Sequence, residues 1–278
     1  MIKLVLSDMD NTLLAYGRPY VSDFALDAIH KLQATGVTFA PATGRGIVEL
    51  RHFFQGDEAA CSCALVSSGK EVWVDGELRQ RTAAHPRQLA QVVATLHDVP
   101  DACLVAYGDG EHPTLVVDLA SKYLPQIEPL FPMGVQPVDQ APDYDVVACG
   151  IICGGDAAHL EAVRASLHEA CPDLDFIRSV DHWCDIVPAG FTKATGVEAL
   201  EGLLDVRAAD VVAFGDSDND LAMLEHVGEA VAVANANDRV RAVARWHIGS
   251  AEDEAVPHAL LDIAASALDG SVPAFMAG

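Results

Sequence analysis

The 278-residue sequence has no long hydrophobic run and few positive charges. A membrane-spanning helix requires about 18 consecutive apolar residues, and because no such stretch occurs we expect no membrane segment. Only 17 Lys and Arg residues stand against 41 Asp and Glu residues, which gives a formal net charge of −24. Nucleic-acid backbones and anionic membranes bind basic surfaces, so neither is an expected partner. Phosphate esters remain possible ligands, because a divalent metal or a local lysine can reverse the field at one site.

The sequence also lacks the paired cysteines of a disulfide scaffold or a zinc site. Its seven cysteines are scattered, none belongs to a Cys-x-x-Cys pair, and the histidines do not have the spacing of zinc ligands. Asp8 and Asp10 interrupt the apolar stretch at the N-terminus too early for a signal peptide. We therefore predict buried, reduced thiols and a cytoplasmic location.

Apolar strands and amphipathic helices alternate at both ends of the chain. Residues 2–7 and 37–42 are short β-rich runs, and Val211–Phe214 are continuously apolar, as in a parallel strand covered on both faces. Thr192 is a suitable N-cap for a helix over residues 193–204. This alternation predicts an α/β fold built on a doubly wound parallel sheet.

The middle of the chain, residues 83–186, differs from both ends in composition. It is richer in proline and combines strand patterns with helix patterns at residues 88–97 and 157–169. The simplest arrangement is a second α/β domain inserted into the first. The sequence thus predicts a core domain over residues 1–82 and 187–278, interrupted by an inserted domain over residues 83–186.

Four polar segments, far apart in the chain, each follow a predicted strand or begin a predicted helix. They are Asp8-Met9-Asp10-Asn11-Thr12, Thr43-Gly44-Arg45, Thr192-Lys193 and Gly215-Asp216-Ser217-Asp218-Asn219-Asp220. The carboxyl ends of parallel strands converge on one crevice, so we expect these segments to meet there. Clustered carboxylates raise one another's pKa unless a cation neutralises them. Oxygen ligands without His or Cys favour Mg²⁺.

Other interpretations of these segments fit less well. The last segment is not a calcium loop, because Leu221 and Val227 stand where such a loop needs Gly and Glu. The glycines around Lys193 lack the spacing of a phosphate-binding P-loop. Taken singly, each of these residues has an ordinary structural explanation: Asp218 could cap a helix, Arg45 could begin one, and Lys193 could be a surface charge. Their joint occurrence in this order argues for chemistry.

In order and spacing, the four segments resemble the four motifs of the haloacid dehalogenase superfamily, and the chain is most similar to its Cof-like sugar-phosphatase subfamily. The resemblance covers the whole chain and implies an α/β cap domain between the second and third motifs. It also implies a Mg²⁺-dependent phosphatase that acts on a small phosphorylated metabolite, such as a sugar phosphate, through an aspartyl-phosphate. A phosphotransferase or mutase of the same superfamily and a non-catalytic phosphate-binding regulator are the alternatives.

The resemblance assigns roles to individual residues of these motifs. Asp8 would be the nucleophile that takes the phosphoryl group, and Asp10 would be the general acid and base. Thr43 and Lys193 would bind the phosphoryl oxygens, and Asn219 would contact the phosphate.

The resemblance also implies a metal site. Mg²⁺ would be held by Asp8, Asp216 and the backbone carbonyl of Asp10, and Asp220 would support either the metal or Lys193. No pattern in the sequence specifies an oligomeric state. Candidates for substrate contacts lie near the end of the cap, at Arg178, His182, Trp183 and Asp185.

The chain departs from the subfamily pattern at several positions near the motifs. Asn11 stands where Gly is usual, and Ser67-Ser68-Gly69 stand where Asn-Gly is usual. Because Asn tolerates a left-handed backbone, we expect the turn after Asp10 to persist. Val233 and Glu252–Val256 also differ from the usual residues.

Overall fold

The structure, a computed structural model, separates into two compact units. One unit combines Met1–Arg81 with Thr192–Gly278, and the other is Thr82–Phe191. The residues that the structure describes are 1–99, 101–108, 112–117, 134–180 and 182–277.

The N-terminal segment of the first unit begins with a buried strand and an amphipathic helix. The helix starts where the Ser22 side chain accepts a hydrogen bond from the Ala25 backbone (3.0 Å), and it buries Ala25, Ile29 and Leu32. This segment contains β1 (Leu4–Ser7), α1 (Asp23–Gln33), β2 (Thr38–Pro41), α2 (Ile47–Phe53), β3 (Ala64–Val66), β4 (Glu71–Val74) and β5 (Glu77–Arg81).

The second unit has its own sheet and its own apolar core. Its elements are α3 (Pro86–Leu96), β6 (Ala102–Ala106), β7 (Leu115–Val117), β8 (Gln136–Val138), β9 (Cys149–Cys153), α4 (Ala157–Ala170), β10 (Leu174–Val180) and β11 (Trp183–Pro188). The strand order is β10-β11-β9-β6-β7-β8, antiparallel except for the parallel pair of β7 and β8. Strand β11 continues through residue 187, the predicted start of the second core segment, because it pairs with β10 as far as Pro188.

The C-terminal segment of the first unit restores the alternation of strands and helices. It contains α5 (Lys193–Leu204), β12 (Val211–Gly215), α6 (Leu221–His226), β13 (Glu229–Ala232), α7 (Asp238–Val243), β14 (Trp246–His247) and α8 (Ala255–Asp269). Helix α5 has the predicted bounds, and Thr192 is its N-cap. Strand β13 begins at Glu229 and pairs in parallel with β12. Helix α8 was missed, although Val256, Leu260 and Ile263 lie on one buried face at helical spacing.

The sheet of the first unit is parallel, with the strand order β14-β13-β12-β1-β2. Leu4, Val5 and Leu6 of β1 are fully buried, because helices cover both faces of the sheet. This arrangement confirms the predicted doubly wound α/β fold. Strands β3, β4 and β5 form a separate antiparallel sheet, and the turn between β4 and β5 is Asp75-Gly76, with both residues in the left-handed region.

The sheet order places the loops after β12, β1 and β2 side by side. Ser7, the last residue of β1, is level with Phe214 on one side and with Pro41 on the other. The chain therefore leaves all three strands at one edge, at Asp8, Asp216 and the segment that leads to Thr43.

Two further expectations concern cysteines and membrane segments. All seven cysteines are buried, as predicted. No helix in the described part of the chain is long and apolar enough to cross a membrane.

Candidate active site

Three carboxylates meet at the carboxyl edge of the parallel sheet. Asp8 follows β1, and its backbone amide donates to the carbonyl of Phe214 (3.0 Å), which ties the loop to β12. Asp216 follows β12, and Asp220 ends the short helical turn after it. Carboxylate oxygens of Asp8, Asp216 and Asp220 lie within 4.8 Å of one another, and all three residues are buried.

Lys193 supplies the positive charge inside this cluster. It is the first residue of α5, and its side chain is only 1% exposed. Its Nζ donates to Asp8 Oδ1 (2.7 Å) and to Asp220 Oδ1 (2.6 Å). A buried ammonium is tolerated when it is paired in this way, because pairing offsets the cost of removing the charge from water.

The pKa shifts in the cluster follow from burial and from the excess of carboxylates. Burial raises the pKa of Asp8, the Asp220 carboxylate raises it further, and Lys193 opposes both effects. Burial, together with Asp220, raises the pKa of Asp216 to about 6. Burial alone would lower the pKa of Lys193, but Asp220 and Asp8 outweigh it, so this pKa is raised and the lysine stays charged. The cluster therefore favours any added cation that relieves the carboxylates.

Asp220 joins the lysine to the loop after β12. Its Oδ2 accepts hydrogen bonds from the backbone amides of Asp216 (3.0 Å) and Ser217 (3.2 Å), while its other oxygen accepts from Lys193. The sequence offered two roles for Asp220, support of the metal or support of Lys193, and the contact with the lysine is present. Both oxygens of Asp220 are thereby engaged.

Asp10 lies at the edge of the cluster, where its carboxylate pairs with an arginine. Its side chain is 50% exposed. Arg45 donates through Nε to Asp10 Oδ2 (2.8 Å) and through a terminal nitrogen to Asp10 Oδ1 (2.7 Å), and its guanidinium lies 4.2 Å from the centre of the Phe53 ring. The interpretation of Arg45 as only a helix-start residue was therefore incomplete. No local pattern signals this pair, because it joins two different loops.

Thr43 and Asn219 are the two remaining polar residues that the sequence predicted for the site. Thr43 is buried, and its Oγ1 accepts a hydrogen bond from the Arg45 amide (3.2 Å). Asn219 is exposed, and its Oδ1 accepts from the Ser217 hydroxyl (2.7 Å). The structure thus brings all the segments predicted from the sequence to one place.

A cavity of about 410 Å³ opens over these residues. Its wall includes Asp8, Asp10, Thr43, Asp216 and Asn219. Lys193 and Asp220 are absent from this wall, because they lie behind Asp8. The lysine reaches the Asp8 carboxylate, and its direct contact with a phosphoryl group, as expected from the sequence, stays a prediction.

Two of the segments that depart from the subfamily pattern, at Asn11 and at Ser67-Ser68, stabilise the loops around the site. Asn11 adopts a left-handed backbone (φ 61°), and its carbonyl accepts from the Asn235 side chain (2.7 Å). Ser67 and Ser68 are also left-handed, and the Ser68 amide donates to the Thr43 carbonyl (2.8 Å). The turn expected after Asp10 is present, and the serines hold the Thr43 loop through the backbone.

Asp218 does not cap the following helix, as its structural interpretation had suggested. The N-cap of α6 is Asp220. The Asp218 carboxylate instead accepts from the Asn237 side chain (2.9 Å) and from Arg239 (2.6 Å). These contacts join the loop after β12 to helix α7.

The residues proposed for substrate contacts lie at the β10–β11 end of the second unit. Trp183 is half-buried, and its indole nitrogen donates to Asp185 (2.8 Å). An Arg178 nitrogen lies 3.9 Å from a Glu161 oxygen, and the backbone carbonyl of His182 accepts from the Cys153 amide. Trp183 thus has an internal partner, and its part in substrate binding stays a prediction.

A second group of potential metal ligands, which the sequence did not suggest, lies in the second unit. Donor atoms of Asp101, Cys153 and His159 lie within 4.8 Å of one another. His159 Nε2 is 2.9 Å from Asp101 Oδ1, so the ring already has a partner. Burial raises the pKa of the Cys153 thiol to about 11. In this structure the group is a hydrogen-bonded pair of His159 and Asp101 beside the buried Cys153.

The sequence profile of the haloacid dehalogenase-like hydrolase family matches residues 5–260 of the chain. The 5-amino-6-(5-phospho-D-ribitylamino)uracil phosphatase YbjI of Escherichia coli is 28% identical over 269 residues, which cover 92% of this chain and 93% of YbjI. An HMP-PP phosphatase of Escherichia fergusonii is 27% identical, covering 94% of this chain and 95% of its own.

Solved structures show the same fold. BT1666 from Bacteroides thetaiotaomicron, described among phosphatases of the HAD enzyme superfamily, matches with a TM-score of 0.78 and 22% identity, covering 95% of both chains. The subclass IIB sugar phosphatase BT4131 matches with a TM-score of 0.73 and 19% identity, covering 92% of this chain and 96% of its own.

Proposed function

Because this chain belongs to the haloacid dehalogenase-like hydrolase family, we propose that it is a Mg²⁺-dependent phosphatase acting through an aspartyl-phosphate on Asp8. The family resemblance drawn from the four motifs is confirmed, and so is the expectation of a phosphatase-type enzyme, since relatives that align over nearly the whole chain carry that name. The nucleophile, the metal and the substrate are the parts that we propose.

The observation that carries the proposal is the position of Asp8. Its carboxylate lies in the cavity wall, while a buried lysine donates to one of its oxygens from behind. A carboxylate can approach a phosphate dianion only when cations offset the repulsion between them. The Asp8 carboxylate would attack phosphorus, so that the Asp8–phosphorus bond forms as the bond to the leaving oxygen breaks.

The donor set fits a hard divalent cation. Asp8 and Asp216 offer carboxylate oxygens at one edge of the sheet, and no His or Cys belongs to this group. We propose that these two residues and the Asp10 backbone carbonyl hold Mg²⁺. When bound, Mg²⁺ would neutralise charge on the transferring phosphoryl group. Asp220 is better placed to orient Lys193 and the Asp216 loop, since both its oxygens already accept hydrogen bonds.

Asp10 is proposed to act as the general acid and base. It would protonate the leaving oxygen in the first step and remove a proton from the attacking water in the second. That water would break the Asp8–phosphorus bond and release inorganic phosphate. Thr43, in the wall of the same cavity, would donate its hydroxyl to a phosphoryl oxygen.

The substrate class follows from the size of the cavity and from the relatives. A space of about 410 Å³ admits a small metabolite. One relative is named for a phosphorylated ribitylamino-uracil and one solved structure for a sugar phosphate. We propose a sugar phosphate or polyol phosphate as the substrate, with selection by residues 83–186, and a cytoplasmic location.

Release of inorganic phosphate from a panel of phosphorylated metabolites, with Mg²⁺ or EDTA, tests the proposal. Asp8→Asn should lower turnover on the order of 10⁶-fold, as loss of a covalent nucleophile does. Asp27→Asn is the matched control, because Asp27 is an exposed carboxylate that pairs with Lys31 on α1.

Near-normal turnover by Asp8→Asn would remove Asp8 from the nucleophile role. Full activity in EDTA would contradict the proposed requirement for Mg²⁺. Substrate consumption that requires an added acceptor and yields a phosphorylated acceptor, with no inorganic phosphate released, would instead favour the phosphotransferase or mutase alternative.

A further inference from the structure

A second cavity adjoins the candidate active site. Its volume is about 340 Å³, and it shares Asp10, Asn11 and Arg45 with the first cavity. On the side away from Asp8, its wall includes Tyr16, Arg18 and Phe53. The ion pair of Asp10 and Arg45 thus forms part of the boundary between the two spaces.

Arg18 contributes a cation to the wall of the second cavity. Arg45, Arg207 and Arg239 each form an ion pair with an aspartate, as expected in a protein with a net charge of −24. The guanidinium of Arg18 has no hydrogen-bond or ion-pair partner within the described ranges 1–99, 101–108, 112–117, 134–180 and 182–277. An unpaired arginine in a cavity wall is a ready partner for an anion, and its fork of donors suits phosphate and carboxylate.

The loop that carries Arg18 is held by its own backbone. The Arg18 amide donates to the Ala15 carbonyl (3.1 Å), and Gly17 takes a left-handed conformation (φ 77°) that closes the turn. Tyr16 in this turn is 87% exposed. The aromatic ring of Tyr16 and the guanidinium of Arg18 therefore both line the second cavity, and both residues are exposed.

We propose that this second cavity binds the leaving group of the phosphate ester, and that Arg18 pairs with a second anionic group, a phosphate or a carboxylate, on that leaving group. The inference rests on the proposed function. Asp10 would protonate the leaving oxygen, so the rest of the leaving group extends past Asp10, away from Asp8. The second cavity lies on that side, and Arg18 is the cation in its wall without a protein partner.

The proposal defines a substrate class. The substrate is a small phosphate ester whose leaving group carries its own negative charge, such as a sugar bisphosphate or a phosphorylated sugar acid. Arg18 is then a specificity-determining residue, because an ester without the second anion leaves its guanidinium unpaired.

Two pairs of substrates test this inference. Each pair differs mainly in the second anion: glycerol 3-phosphate against 3-phosphoglycerate, and fructose 6-phosphate against fructose 1,6-bisphosphate. The wild-type enzyme should show the lower KM for the doubly anionic member of at least one pair. Arg18→Gln should raise that KM about 10- to 100-fold, the range for loss of a hydrogen-bonded charge pair, and should raise the KM of the singly anionic partner at least tenfold less.

Matched variants separate binding at Arg18 from a general change in charge. Lys3→Gln removes one positive charge from an exposed lysine at the opposite end of β1, so the KM for both members of each pair should stay at the wild-type value. Arg18→Lys should restore part of the preference, since it keeps the charge and loses the fork.

The outcomes distinguish this inference from the proposed function. Phosphate release from both members of each pair with equal KM, or equal effects of Arg18→Gln on both members, overturns the role of Arg18 and leaves the phosphatase proposal standing. Absence of phosphate release from every compound, p-nitrophenyl phosphate included, overturns the proposed function and this inference with it.

Discussion

The pairing of Asp10 with Arg45 places two demands on one carboxyl group. Arg45 donates to both oxygens of Asp10, at 2.8 and 2.7 Å. A proton on either oxygen would compete with the guanidinium, yet a general acid must carry that proton. We expect the phosphate of the substrate to offer Arg45 another partner, which would free the Asp10 carboxyl group to face the leaving oxygen.

The proposed acid role of Asp10 predicts a dependence on the leaving group. Asp10→Asn should reduce kcat about 10²- to 10⁴-fold for alkyl phosphates such as glycerol 3-phosphate, whose leaving oxygen needs a proton. The loss should be smaller for p-nitrophenyl phosphate, whose leaving group departs as a stable anion. Steady-state kinetics on both substrates measure the difference, and an equal loss on the two would contradict the acid role.

Sequence patterns reveal some of these residues and hide others for a physical reason. Asp8 and Asp216 could be predicted because each directly follows a continuously apolar strand, and such strands end at a common edge. The partners of Lys193 could not be predicted, because its contact with Asp8 joins residues that are 185 positions apart in the chain. The same holds for the pair of Asp10 and Arg45. Local periodicity carries no information about contacts of this kind.

Among the elements, α5 depends on an unusually close approach by a loop. A Cβ atom on Gly196 would lie 2.6 Å from the Cα atom of Gly69, within the backbone of the turn after β3. Helix α5 begins with Lys193, so the packing of Gly196 against Gly69 sets the position of this lysine relative to Asp8. The bounds of α5 were predictable from its N-cap and apolar spacing, whereas this packing was not, because a glycine pair has no side-chain pattern.

Gly196→Ala should therefore be destabilising although alanine favours helices. The added methyl group must displace backbone, which costs about 1–3 kcal/mol in unfolding free energy, and the displacement of Lys193 should lower kcat as well. Gly202→Ala in the same helix is the control, because a Cβ there meets no atom within 4 Å. That change should stabilise by about 0.5–1 kcal/mol. Urea unfolding of both variants measures the two effects, and similar values for the two would disprove the steric argument.

At the scale of the whole molecule, stability should depend on pH through the carboxylate cluster. The pKa of Asp216 is raised from 3.8 to about 6 in the folded protein, so the folded state holds this proton more tightly than the unfolded chain. The stability that this group contributes is present below about pH 3.8 and is lost as the pH rises through about 6. Asp8 acts in the same direction, because its pKa is also raised.

Mg²⁺ should restore the stability that is lost as the pH rises, and the stabilisation should be larger at higher pH. Above pH 6 the Asp216 carboxylate is ionised, and a free Mg²⁺ concentration about 100-fold above Kd should stabilise by about 2.7 kcal/mol. At about pH 5 protons compete for the same oxygens, so the gain should be smaller. Thermal unfolding with Mg²⁺ or EDTA at about pH 5 and about pH 7.5 measures both gains. A gain that is larger at pH 5, or that persists in an Asp216→Asn variant, would contradict the assignment of Asp216.

The order of segments along the chain has a consequence for biosynthesis. Strand β1 pairs with β12, which follows the whole of Thr82–Phe191 in the chain. During translation at about 5–20 residues per second, β1 therefore waits about 10–40 seconds for this neighbour, while the second unit is already complete. Until then an apolar central strand has one open edge, the feature that promotes aggregation of nascent chains. Ribosomes that stall before residue 211 should consequently yield truncated products that depend on chaperones.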